Sequence, residues 1–333
     1  MLLAAWTGRG FLSTLMLPAA WVFAAVAATR RLLYRLGWLE SVRLRVPVVV
    51  VGGIAVGGTG KTPLIIALAR ALGEAGRRPG VVSRGYGGRG RRPRMVAPDA
   101  DPAEVGDEPL LIRRRAGCPV AVGADRVAAG RELLRVFPDC DLILCDDGLQ
   151  HYRLRRDLEI AVLDGRGIGN GRLLPAGPLR ESPARLAGVD ALVANGDPGP
   201  LAAQGVRTFR MRLSGTSFHR LDDPDVTCAA ADLAGRDIDA VAGIGHPERF
   251  FAHLRALGLR FRGHAFPDHH AYRAADLELP GEAILATEKD GVKLARLSPA
   301  PGRPPIWVLP VDALVDPDLS RFVLEKLDGR PSA

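Results

Sequence analysis

The stretch Val46 to Pro63, VPVVVVGGIAVGGTGKTP, decides how the rest of the chain is read. Val48 to Val51 form a β-branched run of the kind that makes a fully buried strand. Glycines follow, and Gly60-Lys61-Thr62 opens a segment, Pro63 to Ala75, whose apolar residues recur at helical spacing. Strand, glycine-rich loop and helix, in that order, gather the loop's backbone N–H groups at the positive end of a helix, where polyphosphate binds. Val56, Gly57, Gly58, Thr59, Gly60, Lys61 and Thr62 are therefore the expected nucleotide cradle. Lys61 reaches the outer phosphates and the Thr62 hydroxyl binds Mg²⁺. The usual pattern places a glycine six residues before the lysine; Ala55 stands there, so the loop is a variant. A glycine-rich turn is the plain alternative, but turn chemistry rarely sets GKT between these two elements.

At 333 residues, 47% of them hydrophobic, the chain can build two globular domains with real cores. Its net charge of +8 comes almost wholly from arginine. That charge fits an acidic partner such as nucleotide, nucleic acid or an anionic membrane, and equally fits solvated basic faces, the plainer reading. Cys118, Cys140, Cys145 and Cys228 show no metal-type spacing and read as reduced core residues.

Upstream of the loop, Phe11 to Ala28 (FLSTLMLPAAWVFAAVAA) carries no charge and is followed by Arg30, Arg31, Arg35, Arg43 and Arg45. A cleaved signal peptide, a spanning helix, a helix lying in one leaflet and a plain core helix all compete. Ala25-Val26-Ala27 has the form of a cleavage site, yet export would strand a nucleotide loop in a compartment without ATP. The expectation is a retained, membrane-associating N-terminal helix with its arginines on the cytoplasmic side.

Downstream, Arg78 to Ser83 reads as a strand ending in the arginine- and glycine-rich turn Ser83 to Arg94, placed where open α/β sheets bind anionic ligands. Asp107, in Val105-Gly106-Asp107-Glu108-Pro109, precedes an apolar helix and could serve simply as its N-cap. Cys118–Val122 is a short strand and Asp125–Val136 a helix. Asp141 to His151, DLILCDDGLQH, is a buried strand ending in carboxylates, the form of a Walker B element whose acids hold Mg²⁺ and its water. Strands at Glu159–Asp164 and Val189–Ala194 follow, and Val206–Leu213 looks like an extended ribbon. A second strand–helix alternation then begins, with Gly243-Ile244-Gly245-His246-Pro247-Glu248 and Thr287-Glu288-Lys289-Asp290 at strand ends. The fold class is α/β: a P-loop NTPase-type parallel sheet core with an apolar N-terminal helix and a second, smaller α/β domain. The expected divisions are 1–29, 30–214 and 215–333.

Across nearly the whole chain these residues resemble the tetraacyldisaccharide 4'-kinase family. The motifs that carry the resemblance are VGGTGKTP (Val56 to Pro63), SRGYGG (Ser83 to Gly88), GDEP (Gly106 to Pro109), DDGLQH (Asp146 to His151), LPAGPLRE (Leu174 to Glu181), FPDHH (Phe266 to His270) and TEKD (Thr287 to Asp290). The family's loop also lacks the first Walker glycine, which accounts for Ala55. The resemblance implies an ATP- and Mg²⁺-dependent lipid kinase acting on the 4'-hydroxyl of an acylated glucosamine disaccharide 1-phosphate in lipid A biosynthesis, at the cytoplasmic face of the inner membrane. It implies Asp107 as the acceptor of the hydroxyl proton with His269 as its partner from the second domain. It further implies Thr62 and Glu181 at the Mg²⁺ site, Asp146 and Asp147 as the Walker B carboxylates, and Arg84, Tyr86, Gln150 and His151 facing nucleotide or acceptor. His270 reads as solvated or structural. The partners expected are the lipid and a membrane surface, with no nucleic acid and no required protein. The rival reading is a membrane-associated P-loop nucleotide switch or ATPase, against which Lys289-Asp290 lacks the spacer residue of a guanine-reading motif.

Overall fold

The computed structural model describes residues 6, 8–88, 92–197, 205–297 and 302–329. Residues 89–91 of the expected Ser83–Arg94 turn, and residues 1–5 and 7 ahead of the apolar segment, lie outside the described residues.

The valine run forms β1 (Val48–Gly52), buried along its length. Val49 and Val51 pack into one core with Leu64, Ile65 and Leu68 of the helix Lys61–Glu74. Val48 and Val50 face the opposite core with Leu133 and Leu134 of the helix Arg126–Val136. A strand covered on both faces needs apolar side chains at every position, and each buried valine contributes about 2 kcal/mol.

Seven further strands of this sheet follow β1: β2 (Pro79–Ser83), β3 (Arg94–Met95), β4 (Val120–Val122), β5 (Leu142–Asp146), β6 (Leu158–Asp164), β7 (Ala191–Asn195) and β8 (Arg207–Ser214). The chain then builds a second sheet from β9 (Ser217–Arg220), β10 (Thr227–Ala229), β11 (Ile238–Ala242), β12 (Arg262–Ala265), β13 (Ala283–Thr287) and β14 (Ile306–Leu309). It returns to the first sheet as β15 (Asp312–Val315). The spatial orders among the described residues are β15-β8-β7-β6-β1-β5-β2-β4-β3 and β10-β9-β14-β13-β11-β12. β1 lies between β5 and β6, parallel to both, so the phosphate loop, Asp146 and Asp164 emerge side by side at the carboxyl edge.

The unbroken unit expected from 215 to 333 is interrupted. β15 pairs antiparallel with β8, and the helix Asp318–Asp328 buries Phe322 against Phe209, their ring centroids 5.4 Å apart. An edge strand left open exposes unpaired backbone groups, and the returning strand covers it. The two crossings between the sheets touch, since a Cβ at Gly215 would lie 2.3 Å from the Pro310 carbonyl oxygen.

Smaller differences have local causes. The helix after the loop starts at Lys61 rather than Pro63, a shift the first turn tolerates because its N–H groups are unpaired anyway. The apolar N-terminal segment forms two helices, Phe11–Leu15 and Leu17–Arg35, divided at Met16, with Pro18 in the first turn of the second. Arg30, Arg31 and Arg35 therefore lie on the helix itself, not beyond it. Among the described residues no helix is long and apolar enough to cross a membrane. One side of the longer helix is open to solvent, with Trp21 and Val22 67% and 65% exposed.

Candidate active site

The residues Val56 to Thr62 line a cavity of about 1490 Å³ that opens between the two sheets. Gly57 and Gly60 adopt φ of 102° and 95°, and a Cβ at either would come within 2.9 Å or 2.8 Å of Arg166 or Asn195. Glycine is thus favoured there by conformation, the side-chain ends of Arg166 and Asn195 being free to shift. Ala55 bridges to Leu179 and takes no left-handed conformation, so it does not need to be glycine. The segment around Leu179 steadies the loop's entry: Val56 N–H donates to the Pro178 carbonyl at 2.9 Å, and Arg180 N–H to that of Ile54 at 2.6 Å.

Two carboxylates end β5. Asp146 is 2% exposed; its Oδ2 accepts from the Ser83 hydroxyl at 2.9 Å, and its Oδ1 has no protein partner. Burial first, then Glu108 and Asp147, pushes its carboxyl up to about 7. Burial pushes Asp147 the same way, yet Lys61, 3.5 Å distant, and Arg180, at 2.7 Å, hold it below the ordinary carboxylate value. Glu181 accepts from Gln150 Nε2 at 2.9 Å and from the Tyr152 hydroxyl, whose proton burial and Glu181 retain up to about 12. Among the described residues no three acidic, His or Cys side chains group as a protein-only metal cage. Mg²⁺ needs none, because it keeps water and phosphate oxygens and takes only one or two carboxylates. The open Oδ1 of Asp146, in the cavity that Thr62 and Glu181 also line, fits that requirement.

Next to Glu108 and Pro109, which line the cavity, Asp107 opens the helix Asp107–Ala116; Gly106, at φ 91°, is the residue before it. Asp107 is therefore the first helical residue and not the cap. His269, itself at φ 59° in the loop after β12, places Nδ1 3.1 Å from both Asp107 oxygens. Lys289 Nζ lies 3.5 Å from His269 Nε2, 2.9 Å from Glu108 and 3.1 Å from Asp268. An ammonium only donates, so the neutral ring keeps its proton on Nδ1, toward Asp107. Burial alone would raise Asp107, but the His269 hydrogen bond and the Lys289 and Lys293 charges bring it below the ordinary value. Asp107 in turn raises His269 against the effect of burial.

Arg84, Tyr86, Gln150 and His151 all border the cavity. The Tyr86 ring lies 5.0 Å from the His269 ring. Burial, then Arg126, pushes His151 down to about 4, so it is neutral. His270 stands apart, 3.0 Å from Asp276 and stacked on Phe266. The N-terminal helix completes one wall through Phe23, Val26, Ala27 and Arg30, and Arg30 donates to the Gln150 carbonyl at 3.3 Å.

Sequence reasoning passed over several cations at this site. Lys289 sits within the quoted TEKD and Arg180 beside Glu181, so motif position could have found them. Arg126 and Arg249 carry no such signal among 45 lysines and arginines.

A family model described as LpxK, tetraacyldisaccharide-1-P 4'-kinase, matches residues 12–328. A tetraacyldisaccharide 4'-kinase from Chromobacterium violaceum is 54% identical over 323 residues, covering 96% of this chain and 95% of its own. One from Aromatoleum aromaticum is 50% identical, covering 99% and 98%. Among solved structures, LpxK from Aquifex aeolicus in complex with ATP superposes with a TM-score of 0.79 at 28% identity, covering 95% of this chain and all of that one.

Proposed function

The chain belongs to the tetraacyldisaccharide-1-P 4'-kinase family, and on that premise we propose how its residues divide the reaction. It is an ATP-dependent kinase of lipid A biosynthesis. The γ-phosphoryl group passes from ATP to the 4'-hydroxyl of the acylated disaccharide 1-phosphate: the new O–P bond forms as the bond to ADP breaks, and the hydroxyl proton goes to Asp107. The observation that carries this division is that one cavity joins the phosphate loop, His269, whose Nδ1 holds Asp107 at 3.1 Å, and Phe23, Val26 and Ala27 of the N-terminal helix.

A carboxylate is a weak base for an alcohol. His269 Nδ1–H orients Asp107 and shares the charge that changes as the proton arrives. Lys61 and the loop amides balance the charge on the transferred group, and Asp147 with Arg180 aims Lys61. Asp146, Thr62 and Glu181 would hold a Mg²⁺ ion, which would supply charge neutralisation to the nucleotide's phosphates. Arg84, Tyr86, Gln150 and His151 line the acceptor's side. Phe23, Val26 and Ala27 give its acyl chains an apolar approach, while exposed Trp21 and Val22, with Arg30 and Arg31 further along the same helix, rest the enzyme on the cytoplasmic face of the inner membrane.

The test is transfer of label from γ-labelled ATP to a panel: the tetraacyl disaccharide 1-phosphate, its deacylated form and no acceptor. Label should enter the acylated lipid, with little hydrolysis when acceptor is absent. Turnover of ATP at the same rate without lipid would replace this reading with that of a nucleotide switch. Sedimentation with anionic liposomes checks the membrane arm, and Trp21→Asp should weaken it.

A further inference from the structure

The turn Gly243 to Glu248 has no part in the reaction described above, yet it leads the second sheet directly onto the phosphate loop. A Cβ at Gly245 would lie 3.5 Å from Gly58 N, so the two backbones run in near contact. The helix Pro247–Ala256 starts there and carries Arg249. Arg249 Nη1 donates to the Gly58 carbonyl at 3.0 Å, and its Nη2 to Asp164 Oδ2, also at 3.0 Å. Asp164 ends β6, the strand beside β1, and its side chain is 1% exposed. The same carboxylate accepts from Arg166 Nε at 2.9 Å, and Arg166 flanks Gly57.

A loop that binds phosphate through its N–H groups must turn its carbonyls away from the ligand. Two of those carbonyls are held here from opposite sides. Asn195 Nδ2, at the end of β7, donates to the Thr59 carbonyl at 3.1 Å, and Arg249 holds that of Gly58. Asn195 belongs to the same sheet as the loop; Arg249 comes from the other one. Two arginines sharing one buried carboxylate also leave a net positive charge at the loop's mouth, favourable to a triphosphate.

We propose that Arg249 is a positioning residue for the phosphate loop: with the second sheet docked, it ties the Gly58 carbonyl to Asp164 and thereby pre-forms the N–H cradle for ATP. Nucleotide affinity then depends on the position of the second sheet as well as on the loop. The inference rests on the reading of the cavity as an ATP site, and its test needs no lipid acceptor.

Binding of the β,γ-imido analogue of ATP with Mg²⁺ is titrated calorimetrically to the full chain and to Arg249→Ala, Arg249→Lys, Asp164→Asn and the Arg249→Ala/Asp164→Asn pair. Arg249→Ala should weaken binding about tenfold, the loss expected for one charge-assisted hydrogen bond. Arg249→Lys, which keeps the charge but replaces the two-nitrogen fork by a single nitrogen, should fall between. Because Asp164 acts on the loop partly through Arg249, the pair should lose less than the product of the single losses. In the ligand-free protein, hydrogen exchange at residues 56–60 should quicken in Arg249→Ala while β5 stays protected. In turnover assays the change should fall on KM for ATP and leave KM for the lipid in place. Wild-type affinity and wild-type loop exchange in Arg249→Ala would overturn the proposal alone. Failure of the wild-type chain to bind the analogue would overturn the nucleotide reading and this inference with it. Thermal melting of each variant separates unfolding from loss of positioning.

Discussion

Asp107 and Asp146 are almost equally buried, at 4% and 2% exposure, and their ionisation is pushed in opposite directions. Asp107 lies against His269 with Lys289 and Lys293 4.0 Å and 3.9 Å away, and stays ionised below the usual range. Asp146 has one serine hydroxyl, an open oxygen and two acidic neighbours, and rises to about 7. Burial penalises both charges alike; the difference lies in what each carboxylate faces. A carboxylate surrounded by cations stays ionised, with its acceptor oxygens unprotonated at neutral pH, at some cost in basicity. One left with an open oxygen and acidic neighbours has its charged form disfavoured.

Replacing each carboxylate by its amide separates the two roles most sharply. Asp107→Asn should lower kcat by about 10²–10⁴-fold, the usual span for loss of a general base. Lys289 keeps Glu108 and Asp268 and Lys293 keeps Asp290, so unfolding should require only about 1–2 kcal/mol less, the cost of weakening one charged hydrogen bond. Asp146→Asn removes an uncompensated buried charge. The ligand-free protein should then melt no lower than wild type at pH 8, while the rise in Tm on adding Mg²⁺ and ATP disappears. If both amides destabilise the ligand-free protein equally, the contrast between the two sites is wrong.

The pH dependence gives a finer test. Asp107 is lowered by folding, so its contribution to stability is complete above the ordinary carboxylate range and is lost as pH falls through its folded value. The gap in stability between wild type and Asp107→Asn should therefore close in acid and stay open at neutral pH. His269→Gln removes the largest influence that lowers Asp107. The acid limb of its kcat/KM profile should move to higher pH, with kcat reduced about tenfold. Lys289→Gln removes only one of several charges acting on the pair and should move the same limb the same way by a smaller step. An unmoved limb in both variants would detach Asp107 from the proton transfer.

Where the chain spells a site out in consecutive residues, the structure follows the sequence reading closely. The valine run is a strand buried on both faces, the glycines form the loop, and the carboxylates close the next strand over. These relations are carried by neighbours in sequence and by residue types whose backbone preferences leave few alternatives. The second sheet's share of the site is legible only in part. His269 was reachable through the FPDHH resemblance, whereas Arg249, Arg126 and Lys293 were indistinguishable from solvated cations. The return of Asp312–Val315 to the first sheet was equally hidden, because a four-residue strand does not encode which edge it will pair with.

By itself the sequence determined that this chain folds a parallel α/β core around a phosphate loop and belongs with one family of lipid kinases; short-range geometry and contiguous motifs suffice for both. Only the tertiary structure decided which buried carboxylate is kept charged, which is left with an unpaired oxygen, and which arginine of the second sheet reaches the loop. Each of those outcomes depends on groups brought together from distant parts of the chain, at separations where one ångström or one missing partner changes the sign of the electrostatic balance.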